Sequence, residues 1–177
     1  MYYFQLFIKK TLRYLLKPLS VVPALVMMYV IFSFSAQDSI SSAHLSRAVS
    51  KILVLAYNKI CAKGYDEFTL NIIIEQIHPL VRKGAHVTEY MLLAMSVSLP
   101  LYVYRFRGFF ATFLSLVFCV GFAALDEFHQ SFVAGRVCDY KDVIIDSIGI
   151  LVGVIVIRII CVIGRRTLFS WLVLDKT

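Results

Sequence analysis

The sequence predicts an all-α integral membrane fold: about four transmembrane helices plus an interfacial amphipathic helix in the first outer loop. Three observations lead there. Of the 177 residues, 60% are hydrophobic and only 16% charged, and the mean hydropathy of +0.80 lies far outside the range of water-soluble domains. The apolar residues gather in stretches of roughly twenty, the length that crosses a hydrocarbon core. Lys and Arg collect at the ends of these stretches, and in short loops such clusters mark the cytoplasmic side.

The first span is expected at about 19–36, preceded by Lys9, Lys10, Arg13 and Lys17. A basic flank before an apolar run also describes a signal peptide. The length of the run, the early Pro23 and the poor small-residue pattern at Ser33 to Ala36 favour an uncleaved helix. A second span, 86–104, is followed by Arg105 and Arg107 and at once by a third, 109–125, so Tyr104 to Gly108 reads as a tight hairpin. The fourth, 143–163, ends at Gly164, Arg165 and Arg166. A four-span path puts the three basic segments on one side, with both termini cytoplasmic in the plasma membrane. The chain then divides into a basic tail (1–17), a transmembrane domain (18–163) and a second cytoplasmic tail (164–177).

The same path places residues 37–82 and 126–142 outside. In the first of these loops Leu45, Val49, Ile52, Leu53 and Ala56 recur at helical spacing while Arg47, Lys51 and Asn58 take another face. This pattern predicts a helix lying on the bilayer surface. Phe68 to Val81 repeats it more weakly, and His78-Pro79 is expected to redirect the chain. In the last span Gly149 and Gly153 form a GxxxG that permits close helix approach.

A net charge of +7 raises the question of nucleic acid, but the basic residues border apolar segments and no soluble basic domain presents them. Anionic lipid headgroups are the better partner, and no nucleic acid is expected. Cys61, Cys119, Cys138 and Cys161 lack CxxC or Cys/His spacing. Cys119 and Cys161 read as packing residues, and a Cys61–Cys138 disulfide stays open.

The residues that could carry chemistry lie at three helix ends. Arg82, His86 and Glu89 fall within about 60° on one helical face, a cation, an imidazole and a carboxylate together. Asp126, His129 and Gln130 share a face at the end of the third span, with Glu127 displaced by about a quarter turn. Arg136 follows, and Asp139, Asp142 and Asp146 are spaced by three and four on the way into the fourth span. Charged groups at membrane depth are costly unless they pair or face a polar cavity. A salt-bridge lattice holding the helices together is the structural alternative, strongest for Asp126 and Asp146. Asp139 and Lys141 read as ordinary solvated charges.

Taken together these segments resemble the VanZ family. The blocks are Arg82-Lys83-Gly84-Ala85-His86-(x2)-Glu89-Tyr90, Asp126-Glu127-Phe128-His129-Gln130-(x)-Phe132-(x2)-Gly135-Arg136 and Asp142-(x3)-Asp146-(x2)-Gly149, in family order, with F-S-F-S-A-Q at Phe32 to Gln37 similar to a first block. The resemblance covers roughly 30–155. Asp146 departs from it, standing where many members carry Asn, and Ala134 stands where Pro is common. The resemblance implies a small multi-span membrane protein linked to glycopeptide resistance, teicoplanin in particular, and supplies no reaction.

Three functions follow as expectations. In a binding protein, an outer-face polar site takes an envelope-derived or anionic ligand, a cell-wall precursor or a glycopeptide, with Arg82, Gln130, Arg136, Asp142 and Asp146 as contacts. In a membrane-embedded enzyme acting on a lipid-linked envelope substrate, His86 or His129 serves as general acid or base. Asp126 and Glu127 then orient it or hold a hard divalent cation, with Glu89 in the same set. A small transporter would use Glu89 and Asp146 as a relay, which four spans and one-sided clustering disfavour. Lipid-phosphatase, HExxH and GxSxG patterns are absent from the sequence.

Overall fold

The structure is a computed structural model, and it describes residues 11, 14, 17–104, 106 and 108–166. Most of the N-terminal tail with Lys9, Lys10 and Arg13, the hairpin residues Arg105 and Arg107, and the C-terminal tail beyond Arg166 lie outside the described residues. Among the described residues five helices follow one another: α1 (Val22–Ser35), α2 (Ser39–Ile60), α3 (Glu67–Val103), α4 (Gly108–Gln130) and α5 (Tyr140–Arg166).

Among the described residues three segments are long and apolar enough to cross a membrane: Lys17–Ser35, Gly108–Gln130 and Tyr140–Ile163. Their outward faces carry Leu25, Phe113, Val117, Ile155 and Ile159, all exposed, as a lipid-facing surface requires. The protein is therefore membrane-embedded. The expected second span lies within α3, whose second half is less apolar because it contains His86, Glu89 and Pro100.

Pro23 sits in the first turn of α1, where its missing amide costs nothing. Asp38 caps α2 by accepting the Ser41 amide at 2.6 Å. The predicted apolar stripe of α2 is left largely uncovered: Leu45, Val49, Ile52 and Leu53 are exposed, Leu45 and Val49 at the edge of a cleft, and Ser46, Ser50 and Val54 are buried. Small side chains let α2 lie close along the first half of α3, an arrangement held by Arg47 and Glu75 at 2.9 Å.

Residues 67–81 and 86–104 are not separate segments. A single 37-residue helix runs through Pro79, so His78-Pro79 does not redirect the chain. A proline inside a helix removes one amide donor and crowds the preceding turn, a local loss that the flanking turns and the α2 contact outweigh. At 1.5 Å per residue α3 is about 55 Å long, nearly twice a hydrocarbon core.

The bundle core is Ile31, Tyr90, Leu93, Ala94, Cys119, Ala123, Ile150 and Val154. Its tightest seam joins α3 and α5. A Cβ on Gly149 would stand 2.2 Å from the Val87 carbonyl oxygen, and one on Gly153 2.2 Å from that of Met91. Four residues along one helix match four along the other in the same sense, so α3 and α5 run parallel. The expected role of the GxxxG as a close-approach surface holds. All four cysteines are free, and Cys61 and Cys138 form no disulfide.

Candidate functional site

The C-terminus of α1, the C-terminus of α4, the N-terminus of α5 and the middle of α3 meet at one end of the bundle, bringing the polar residues of the sequence together. Asp126 is the hub and is buried. Its Oδ2 accepts hydrogen bonds from Ser35 Oγ at 2.7 Å, Tyr90 Oη at 3.0 Å and Gln130 Nε2 at 3.0 Å. Gln130 also donates to Ser35 Oγ at 3.2 Å, and its carbonyl oxygen accepts from Arg136 Nη1 at 2.6 Å. The amide thus relays between a carboxylate and a guanidinium, as its two ends permit. A further bond from Arg136 Nη2 to the Phe34 carbonyl, 3.3 Å, ties the loop after α4 back to α1.

That loop needs glycine at one point. Gly135 has φ +74°, and a Cβ there would stand 2.6 Å from Ser39 Oγ at the start of α2. Glu127 holds the other side of the loop, its Oε1 accepting the Asp139 amide at 2.8 Å. Arg136 is half-buried between these anchors. Burial, and next the nearby Arg82 guanidinium, pull Arg136 below the usual guanidinium range.

Outside the hub lies a cleft of about 300 Å³ between α3, α5 and the loop. Its basic side chains are Arg82, Lys83 and Arg136, with His78 and His86 beside them, and its acidic ones are Glu127, Asp142 and Asp146. A second cleft of about 130 Å³ under α2 shares Arg82, His86 and Arg136 and adds Glu89. Neither Arg82 nor Arg136 makes an ion pair among the described residues. Asp142 is 3.9 Å from Lys83 Nζ, and His86 Nδ1 is 3.9 Å from Glu89; both contacts are long.

A comparison with known families places the chain that carries this cleft. The sequence profile of VanZ/LLP1 matches residues 20–161. The chain belongs to the VanZ/LLP1 family. No curated protein and no solved structure gives a match.

Within this VanZ/LLP1 domain the segments that carried the resemblance converge on the one site. Arg82, His86, Glu127, Gln130, Arg136, Asp142 and Asp146 line the larger cleft, and Glu89 lines the smaller. Asp126 stands behind the cleft as the hub of the hydrogen bonds. His129 is placed elsewhere: its ring packs on Phe32 with centroids 4.6 Å apart, and it lines neither cleft. Among the described residues no three His, Cys, Asp or Glu side chains are grouped to hold a metal ion. Sequence reasoning did not single out Ser35 and Tyr90 as partners of Asp126, nor Lys83 and His78 as cleft residues. Ser35, Lys83 and Tyr90 did stand inside the matching segments, which was the available signal.

Proposed function

We propose that this VanZ/LLP1 protein binds an anionic, envelope-derived ligand in the larger cleft, at the outer face of the plasma membrane. The observation that carries this reading is the pair Arg82 and Arg136. Two guanidiniums line one cleft, neither makes a direct ion pair with a described carboxylate, and one is locked in place through Gln130 and Phe34. Guanidiniums so placed are suited to phosphate or carboxylate oxygens.

The topology belongs to the same proposal. Four spans, the second being residues 86–104 of α3, put both termini inside and the cleft outside. The parallel course of α3 and α5 supports it, because second and fourth spans cross in the same direction. The exposed stripe of Leu45, Val49, Ile52 and Leu53 then lies on the outer leaflet beside the cleft. The family resemblance makes teicoplanin tolerance the phenotype to examine.

The test is drug susceptibility of a sensitive Gram-positive host expressing wild type, Arg82→Gln or Arg136→Gln at matched membrane levels. Raised teicoplanin tolerance that either substitution removes supports the reading. Equal tolerance in all three strains removes the cleft from the phenotype.

A membrane-embedded enzyme is the second reading, and His86 is what favours it. It is the imidazole that reaches both clefts, with the Glu89 carboxylate 3.9 Å away. As a general base it would act on a substrate seated by the arginines. Loss of function in His86→Gln with ligand binding retained would separate this reading from simple binding.

A further inference from the structure

We propose that the ligand of the larger cleft carries a primary ammonium joined to its anionic group, with the anion on Arg82 and Arg136 and the ammonium on Asp146. This rests on the anion-binding reading above and adds the second charge.

Asp146 is the residue that the anion reading leaves over. It is only 5% exposed and lies within a helix apolar enough to cross a membrane. Its position in α5 is six residues, about 9 Å, past the first residue of the helix. It makes no hydrogen bond or ion pair with any described residue. Beyond its burial, the carboxylates of Asp142, Asp126, Glu127 and Glu89 bear on it most. The charged form of a carboxyl placed among acids inside an apolar helix is disfavoured, and either a proton or a cation brought by a ligand relieves it.

The side chain lines the cleft, so a ligand in the cleft can meet it. Lys83 is the cation that approaches the acidic side, and it reaches Asp142 only at 3.9 Å from an exposed position. Arg82 comes from α3 and Arg136 from the loop, whereas Asp142 and Asp146 come from α5. The seam at Val87 and Gly149 holds α3 and α5 in fixed register next to the cleft. Separate elements therefore present cations and an acid that make no direct ion pair among the described residues to one space of about 300 Å³, enough for a small zwitterion. Three N–H donors suit an ammonium to a buried carboxylate. An aminoalkyl phosphate has the required chemistry, as a soluble molecule or as the headgroup of a phospholipid.

The test titrates full-length protein in detergent with O-phosphoethanolamine and with ethyl phosphate, which lacks the amine. Wild type is expected to bind the first about tenfold more tightly, the scale of one charge-assisted hydrogen bond. Asp146→Asn keeps the side-chain shape and should reduce the ratio to about one while ethyl phosphate still binds. Arg82→Gln should weaken both probes. Equal wild-type affinity for the two probes overturns the ammonium proposal and leaves the anion reading standing; binding of neither overturns both. The wild-type comparison decides even where Asp146→Asn does not fold. Repeating it in phosphatidylcholine nanodiscs, with and without phosphatidylethanolamine, assigns the source. Competition by the lipid places its headgroup in the cleft, and unchanged binding supports a soluble ligand.

Discussion

Replacing Gly149 by alanine should loosen the protein at the seam that supports the cleft. The added methyl would stand 2.2 Å from the Val87 carbonyl oxygen and 3.0 Å from its carbon. Ordinary carbon-to-oxygen contacts begin near about 3.3 Å, so α3 and α5 must separate locally by about 1 Å. The obstacle is backbone, which has no rotamer to turn away. Overpacking of this kind costs about 1–3 kcal/mol, a large part of the stability of a domain this size. Arg82 and His86 lie on α3 within about one and a half turns of Val87, so affinity for ethyl phosphate should fall as well. The assay is thermal unfolding of detergent-solubilised protein, followed by loss of the monodisperse chromatographic peak, with phosphate binding measured below the transition. Gly84 and Gly121 are the controls, because a Cβ at either meets nothing within 4 Å. Alanine there should be neutral, or stabilising by up to about 1 kcal/mol through helix propensity. A Gly149→Ala protein as stable as wild type, or equal damage from Gly84→Ala, would refute the packing argument.

Other substitutions probe the hub and the loop. Tyr90→Phe removes one of the three hydrogen bonds to Asp126 Oδ2 and should cost about 1–2 kcal/mol in thermal unfolding; no change would mean that Asp126 is not held as described. Gly135→Ala forces a side chain onto φ +74° beside Ser39. It should cost about 1–2 kcal/mol and weaken phosphate binding by displacing Arg136, and unaltered binding would separate the arginine from the loop. The Ser41 amide holds Asp38 below its usual 3.8. A lowered folded value means that its stabilisation is present above the unfolded pKa and fades as pH falls through the folded one. Protection of the amides at residues 39–42, relative to their intrinsic exchange at each pH, should therefore fall in acid more in wild type than in Asp38→Asn, and identical profiles would dismiss the cap as the cause. A protein with Cys138 as its single cysteine should react with a membrane-impermeant thiol reagent on intact cells, since Cys138 is exposed and lies in the loop beside the cleft. Labelling only after permeabilisation would invert the proposed topology.

Much of the fold was legible because solvent writes itself into a membrane sequence. The spans at 19–36, 109–125 and 143–163 coincide with the three helices long and apolar enough to cross, and the glycine pair at 149 and 153 announced its close approach. The helix around Leu53 was legible too, but its apolar stripe could not tell which side packs on the protein: Ser46 and Ser50 are buried, while Leu45 and Val49 are exposed at the edge of the smaller cleft. The continuity of α3 through Pro79 was hidden because a local rule about proline cannot register contacts with a neighbouring helix.

The candidate site was legible as a list and less so as an arrangement. Helical spacing put Asp126, His129 and Gln130 on one face, and the structure keeps Asp126 with Gln130 but turns His129 to Phe32. Ser35 and Tyr90 lie 91 and 36 residues from Asp126, too far for any periodicity to pair them. Arg136 was visible as a charge in a loop. That Gln130 and Phe34 restrain it emerges only when α1 and α4 are side by side.

The most direct test of the central claim is titration of purified wild-type and Arg82→Gln protein with ethyl phosphate. Arg82 makes no hydrogen bond or ion pair among the described residues, so the substitution should leave folding intact and remove only charge from the cleft. Saturable binding by wild type that falls at least about tenfold in Arg82→Gln, at unchanged thermal stability, is the predicted result. Equal affinity in the two proteins, or no saturable binding in either, would contradict the assignment of this cleft as an anion site.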